Sequence, residues 1–526
     1  MATRSQTAAV LLAGALALAA CGSGGGSQPP AAQGGGGKTL VIDTSFDLKT
    51  ADPGRTYEPT GLIVDKALYE TLLTFEGADV TKPVPALAES YELSKDGKVL
   101  TLKLKQGATF ADGSPVTADD VVFSLTRVRD MKGTPSFLLD GVEVAKEGDS
   151  TITLTSKAAN PALPFILPNP ALGIINSKLA KQHGATADAQ DKAEQYLNSA
   201  SAGSGPYTIE SFNVSSQVVL KANAKYYGTK PAYDKVVIRN VEAATQKLNV
   251  QRGDSQVALN LSGDQVAGMP ATLQVKKTSS ANVIFLLANQ DDKVSKTTPN
   301  AKFVEAVRKG VDYAGLLELA GEGSTQAPGV IPSQLLGALP ADQAAKRDVE
   351  GAKAALAASG VANPTVKLEY PSELTVNGLS FQPLAERIQA NLKEVGITVD
   401  LQPAPVTTAL DNYRNGKEEL GLWYWGPDYP DPSDYLAFLP GKTVGLRAGW
   451  KAGAAKEIEA AGEKAATAIG DDARKQAYAD VQTKLNASGP FIPLIQPGQN
   501  IVTAASVTGL EYHPVWTVDV AHLGAK

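Results

Sequence analysis

The chain has 526 residues, is 43% hydrophobic and 20% charged, and carries a formal charge of −6. That length is too great for one core and predicts two or more lobes, while the acidic balance excludes a phosphate-binding face for nucleic acid. One cysteine and three histidines exclude disulfides, thiolate zinc sites and iron–sulfur clusters.

In chain order, the first expected element is an export signal. Arg4 gives a positive start, and residues 8–20 are apolar or small, too short a run to span a bilayer. Leu18-Ala19-Ala20-Cys21 resembles a bacterial lipobox, in which Cys21 becomes the lipid-carrying N-terminus; the alternative is an ordinary export signal with an incidental cysteine. Two or more acyl chains anchor stably where one is marginal. Residues 22–37 are Gly-rich and read as a flexible tether.

The folded body is expected to start near 38–46, where Leu40 and Ile42 alternate with Val41 and Asp43 as in a strand. Helical spacing of apolar residues predicts a helix over 60–75. In 98–128, Leu100, Leu102 and Leu104 share one face of a strand, Ala111-Asp112-Gly113 makes a turn, and Thr117 with Asp120 forms a capping-box-like start to a helix through Val128. Strand-like runs follow after 201–209. Residues 301–320 read as one amphipathic helix and 348–361 as another, ended by Gly360. From 364 to 425 strand, helix, strand, helix and strand alternate with short links, which argues for a parallel sheet with right-handed crossovers. The proline-rich 490–498 is expected to cross back to the first lobe.

The last of these strands ends in Trp423-Tyr424-Trp425, followed by Gly426-Pro427-Asp428. Alternation puts Leu420, Leu422 and Tyr424 on one face and Trp423 and Trp425 on the other. Parallel sheets bind ligands outside the carboxyl ends of their strands. Asp428 is therefore expected at that rim, near the loops after Tyr370-Pro371 and Gln402-Pro403. Asp431, before Pro432 and with Asp434 at the third helical position, fits a helix N-cap. Asp428 has no cap to fill. A carboxylate beside an indole suits a cationic group, through a charge-assisted hydrogen bond and a cation–π contact of about 0.5–2 kcal/mol.

With these stretches in hand, the chain resembles the extracytoplasmic solute-binding proteins of ABC importers, in the family 5 peptide- and nickel-binding group. The resemblance rests on residues 110–128, 203–209, 306–320 and 423–439 and covers the mature chain. It implies an α/β, bilobed periplasmic-binding-protein-like fold with an extra subdomain inserted in the first lobe. The expected divisions are a signal peptide at 1–20 and a lipidated Cys and linker at 21–37. Lobe 1 runs over 38–289 with its insert at about 76–195, lobe 2 over 290–489, and the return to lobe 1 over 490–526. In the family's peptide binders an Asp in a W-x-x-D-x-x-[DE]-P segment pairs with the ligand's α-amino group, a role that falls here on Asp428. Trp425, Trp423 and Tyr370 are the other expected ligand contacts, with core packing as the alternative for the two tryptophans. No residue aligns for the ligand's carboxyl end, and Arg414 and Arg447 are candidates by composition only.

The implied function is capture of di- or oligopeptides by lobe closure and delivery to a permease and its ATPase subunits. The protein is expected as a monomer on the extracytoplasmic face, with no cofactor, no metal site, no nucleic acid partner and no enzymatic activity. Two alternatives stand beside it. One keeps the family and changes the cargo to a metal chelate, sugar or other small solute; His183, His513 and His522 show no paired spacing for direct ligation. The other is an exported hydrolase using Asp428 and Asp431. Against it, the sequence contains no G-x-S-x-G nucleophile elbow. It also contains no phosphate-binding G-x-x-x-x-G-K-[ST] loop, so the chain is not the ATPase itself.

Overall fold

A computed structural model of the protein describes residues 38–526. The expected signal peptide, Cys21 and the tether lie outside the described residues. Two large sheets organise the body. The first has seven strands, in the order Leu273–Ser279, Gly498–Ala504, Val257–Leu261, Thr39–Thr44, Lys235–Asn240, Gln217–Ala222 and Tyr207–Asn213. The second has six, in the order Thr325–Gln326, Phe491–Gln496, Val283–Ala288, Leu420–Trp425, Thr365–Pro371 and Thr398–Ala404. A separate four-stranded antiparallel sheet, built from strands between Ala88 and Ser156, carries the helix Ala118–Met131. It falls inside the span read as an insert.

The chain passes between the large sheets twice, at 279–283 and at 496–498. These points differ from the expected divisions after 289 and before 490. Val283–Ala288 and Phe491–Gln496 both belong to the six-stranded sheet. The reason is physical: every residue of both strands is buried, so neither has the apolar–polar alternation that would mark which sheet it joins. The two crossings are bonded to one another. Ser280 N–H donates to the Pro497 carbonyl at 3.0 Å. The buried Gln496 side chain donates to the Ser280 carbonyl at 2.9 Å and accepts from Ser333 N–H at 2.9 Å.

Two helices are shorter than their periodicity suggests. The first runs Pro59–Leu68, after which Leu73–Glu76 turns into a strand. Its last carbonyl is taken by the 203–205 segment, with Gly205 N–H donating to the Leu68 carbonyl at 3.0 Å. The glycines of that segment are required by contact. A Cβ on Gly203 would lie 2.0 Å from the Leu68 oxygen, and one on Gly205 2.5 Å from the Ala67 oxygen. Gly205→Ala is therefore expected to destabilise the protein by about 1–3 kcal/mol through overpacking against fixed backbone; a lowered urea midpoint at constant slope checks this. The second shortened element, 301–320, is two helices, Ala301–Gly310 and Tyr313–Ala320. Asp312 breaks it by capping the second with its side chain, which accepts from Gly315 N–H.

The capping box of Thr117 and Asp120 is present in both directions. The helix it starts delivers Arg127 to the interior, where it joins two buried carboxylates. Arg127 donates from Nη1 and Nη2 to Asp52 at 2.7 and 2.6 Å, and from Nε and Nη2 to Asp191 at 2.7 and 2.8 Å. Its side chain is 1% exposed and those of Asp52 and Asp191 are 0% exposed. Burial alone would lower the basicity of Arg127, but the bonds to the two carboxylates overcome it and raise it. This set pins the 50–56 loop to the insert, and Tyr57 follows directly.

Candidate functional site

The strand Thr365–Pro371 pairs in parallel with both Thr398–Ala404 and Leu420–Trp425, as the alternation of elements predicts. Tyr370 and Pro403 are direct partners, so the three carboxyl ends share one rim. The sheet as a whole is mixed, because Val283–Ala288 runs antiparallel to Leu420–Trp425. Leu420, Leu422 and Tyr424 pack with the helices Ala301–Gly310 and Phe381–Glu394, while Trp423 and Trp425 pack with Phe438 and Trp450 on the opposite face.

Asp428 stands beyond that strand end, half-buried, where the two lobes meet. The Tyr57 hydroxyl, from the first lobe, donates to Asp428 Oδ1 at 2.7 Å. Asn169, also from the first lobe, donates from Nδ2 to the Asp428 carbonyl at 2.8 Å. Within its own lobe Asp428 N–H donates to Asp434 Oδ2 at 2.8 Å. Burial pushes the Asp428 carboxyl up to about 6, opposed by the Tyr57 bond, the charge of Arg447 and the Asp434 link. Asp434 is raised well above the carboxylate range, first by burial and then by the charge of Asp428. Tyr57 is raised for the same two reasons, burial and the neighbouring Asp428 carboxylate. The Tyr57 ring meets Phe137 edge-on at 6.2 Å, and both are more than a third exposed at the cleft mouth.

Asp431 caps the 3₁₀ helix Pro432–Phe438 by accepting from Ser433 N–H, and Arg474 donates to both its oxygens at 2.7 Å. Asp434 does not complete that cap. Its carboxylate turns to the Asp428 amide instead, so it belongs to the cleft.

Trp423 and Tyr370, expected as ligand contacts, are core residues. Each is 3% exposed. Trp423 stacks on Tyr413 at 4.4 Å and 15°, and its indole N–H donates to Glu418 at 2.8 and 3.0 Å. Burial lifts Glu418 to about 9, opposed by the indole N–H. Tyr370 is enclosed in the opposite layer with Phe381 and Leu384. Trp425 is different: it is half-buried at the rim, and the Arg447 guanidinium lies over its ring at 5.5 Å and over Tyr413 at 4.8 Å. Arg414 is exposed on the helix Val406–Arg414, in its last turn. Tyr57 and Asn169 had no sequence signal. They reach the site from positions 371 and 259 residues away from Asp428.

Among the described residues, no group of three or more His, Cys, Asp or Glu is arranged to hold a metal ion. The histidines are scattered. His183 stacks on Tyr196, His513 on Trp516, and His522 pairs with Asp519 at 2.9 Å.

Residues 82–445 match the family model described as "Bacterial extracellular solute-binding proteins, family 5 Middle". The chain belongs to this family. This family 5 binding protein is 27% identical over 489 residues to the probable D,D-dipeptide-binding periplasmic protein DdpA of Escherichia coli K12, covering 90% of the chain and 92% of that relative. Two solved structures share its fold. One is the ABC transporter substrate-binding protein CtaP of Listeria monocytogenes, with a TM-score of 0.81, 20% identity, and 93% and 99% of the two chains covered. The other is a dipeptide-binding protein of Pseudoalteromonas sp. SM9913 in complex with Met-Leu, with a TM-score of 0.79, 19% identity, and 93% and 100% covered. The fold is thus the bilobed α/β architecture of the extracellular solute-binding proteins.

Proposed function

We propose that this family 5 binding protein captures short peptides for an ABC permease, and that Asp428 receives the peptide's α-ammonium. The single observation that carries this reading is the Asp428 carboxylate itself. It stands at a strand end, beside an indole, and touches the opposite lobe through Tyr57. The dipeptide named for the Escherichia coli relative and the Met-Leu bound by the Pseudoalteromonas protein support the same cargo class. Cargo favours closure because it bonds to groups from both lobes at once, which it cannot do when they are apart. The paired crossings at 279–283 and 496–498 serve as the hinge. The protein makes and breaks no bond in its cargo, and the permease and its ATPase subunits do the transport.

The anchor belongs to the same proposal. Cys21 carries the lipid and residues 22–37 tether a monomeric body on the extracytoplasmic face. No helix among the described residues is long and apolar enough to cross a membrane. Calorimetry of the purified protein with a panel of dipeptides and tripeptides tests the cargo assignment, and saturable binding of free peptides is the expected result. Binding of sugars or metal chelates with no response to peptides would replace it.

Affinity is also expected to depend on pH with a definite sign. The peptide's amine, with a pKa near 7.7–8.0, is protonated throughout the acid range. The carboxyl, raised to about 6, must be ionised to receive it. Binding is therefore greatest between about pH 7 and the amine's own pKa, and falls as pH drops through about 6, approaching tenfold per unit below it. Isotherms at about pH 5 and about pH 7.5 measure this; equal affinities would remove the carboxylate from the site.

A further inference from the structure

The two fully buried arginines, Arg127 and Arg474, each bond a carboxylate. Arg308, half-buried in the last turn of the helix Ala301–Gly310, does not. Among the described residues no carboxylate lies within 4.0 Å of its guanidinium. Glu305, one turn earlier, is held by Lys302 at 2.7 Å and Lys309 at 2.9 Å. Arg308 donates from Nη2 to the Gly489 carbonyl at 3.0 Å and to the Phe491 carbonyl at 3.4 Å. Its Nε is buried and has no acceptor. Gly489 closes the helix Asp471–Ser488, so the guanidinium also meets the negative end of that helix. Carbonyls and a helix end supply only partial charge. Burial accordingly holds Arg308 below the usual arginine basicity, the reverse of Arg127 and Arg474.

Arg308 lines a cavity of about 320 Å³. No carboxylate and no second cation lines it; Ala327, Ala487, Ile492 and Pro493 give it apolar walls and Gln343 adds an amide. The cavity is not the Asp428 cleft. Ile492 pairs with Leu286, and Leu286 with Leu422, so this wall stands level with Leu422, about 10 Å short of Trp425 along the strand. Its size is at the small end for small-molecule sites, about 300–1,000 Å³. A cation at one wall with hydrocarbon around it calls for one negative charge on an apolar body. A carboxylate accepts charge-assisted bonds roughly twice as strong as neutral ones. Sulfate or phosphate would turn oxygens toward apolar walls that offer no donors, at a desolvation cost.

We infer that this cavity beside the six-stranded sheet is a separate binding site for a small monocarboxylate, its acid on Arg308 and its hydrocarbon part against Ile492, Pro493 and Ala487. The site stands whether or not the cleft takes peptides.

The test is a saturation-transfer NMR titration with hexanoate and with its neutral amide, hexanamide, at constant ionic strength, on wild type, Arg308→Gln and Ala487→Trp. Wild type is expected to bind hexanoate saturably, about tenfold or more tighter than hexanamide. Arg308→Gln removes the charge, and Ala487→Trp obstructs the cavity while leaving Arg308 in place; each is expected to weaken hexanoate about tenfold or more. Ala487 is exposed on the helix Asp471–Ser488, so the second variant decides the matter if the first misfolds, and thermal melting checks both. An excess of Ala-Leu is expected to leave hexanoate bound. Hexanamide that binds as well as hexanoate overturns the inference, and so does hexanoate binding that survives in the folded variants. Displacement by Ala-Leu would put hexanoate in the cleft, and displacement by an equal concentration of sulfate would make the cavity a general anion site; either overturns it. So does a wild type that shows no saturable binding of hexanoate.

Discussion

Asp428→Ala weakens the binding of a free-amine dipeptide by about tenfold to a hundredfold at neutral pH. The magnitude follows from what is removed. A hydrogen bond to a charged partner is worth about 1.5–3 kcal/mol, and each 1.4 kcal/mol is a factor of ten in affinity. The expected loss is in binding and not in folding, because burial already disfavours the ionised form of Asp428. Asp428→Asn separates charge from shape, since its amide oxygen still accepts from the Tyr57 hydroxyl. If both variants lose affinity alike, charge is the cause. An N-acetylated dipeptide should bind wild type as weakly as the free dipeptide binds Asp428→Ala, and combining the two changes should cost little more than either alone. Affinity unchanged in Asp428→Ala by calorimetry would refute the assignment.

Arg127→Met is expected to cost about 3–5 kcal/mol of stability, because it leaves two buried carboxylates with only the half-buried Arg55 as counter-charge. Asp52 would keep the Arg55 contact at 3.3 Å and the Gly54 N–H at 3.1 Å, and Asp191 the Arg55 bond at 3.0 Å and the N–H groups of Thr186 and Ala193. Arg127→Lys should recover part of the loss, since an ammonium restores charge but cannot reproduce the four donated bonds. Equilibrium urea unfolding measures both. A second consequence separates this role from simple packing: the 50–56 loop is released, and Tyr57 with it, so cargo affinity falls in the fraction that still folds. A variant as stable as wild type would mean that the triad is not what holds the insert to the first lobe.

Much of this was legible in the sequence wherever one segment decides its own structure. The Thr117–Asp120 capping box, the Asp431 cap and the face alternation of 420–425 depend on neighbours a few residues away, and each formed. Failures came where a distant segment decides. Alternation put Trp423 and Trp425 on one face but could not say that Tyr413 covers the first. Tyr370 reaches the correct rim, yet its ring turns into the layer closed by Phe381. The sheet boundary was misplaced because strands buried on both faces carry no pattern to assign them. Tyr57 and Asn169 are brought to Asp428 by tertiary closure alone, and no local rule anticipates that.

The sealing of three indoles has a practical outcome. Of the four tryptophans, Trp423, Trp450 and Trp516 are each no more than 5% exposed, and Trp425 alone sits at the cleft. Any change in ultraviolet emission on adding cargo therefore originates largely at one known ring. The molecule carries its own optical gauge of occupancy, readable without a dye, and Trp425→Phe supplies the blank.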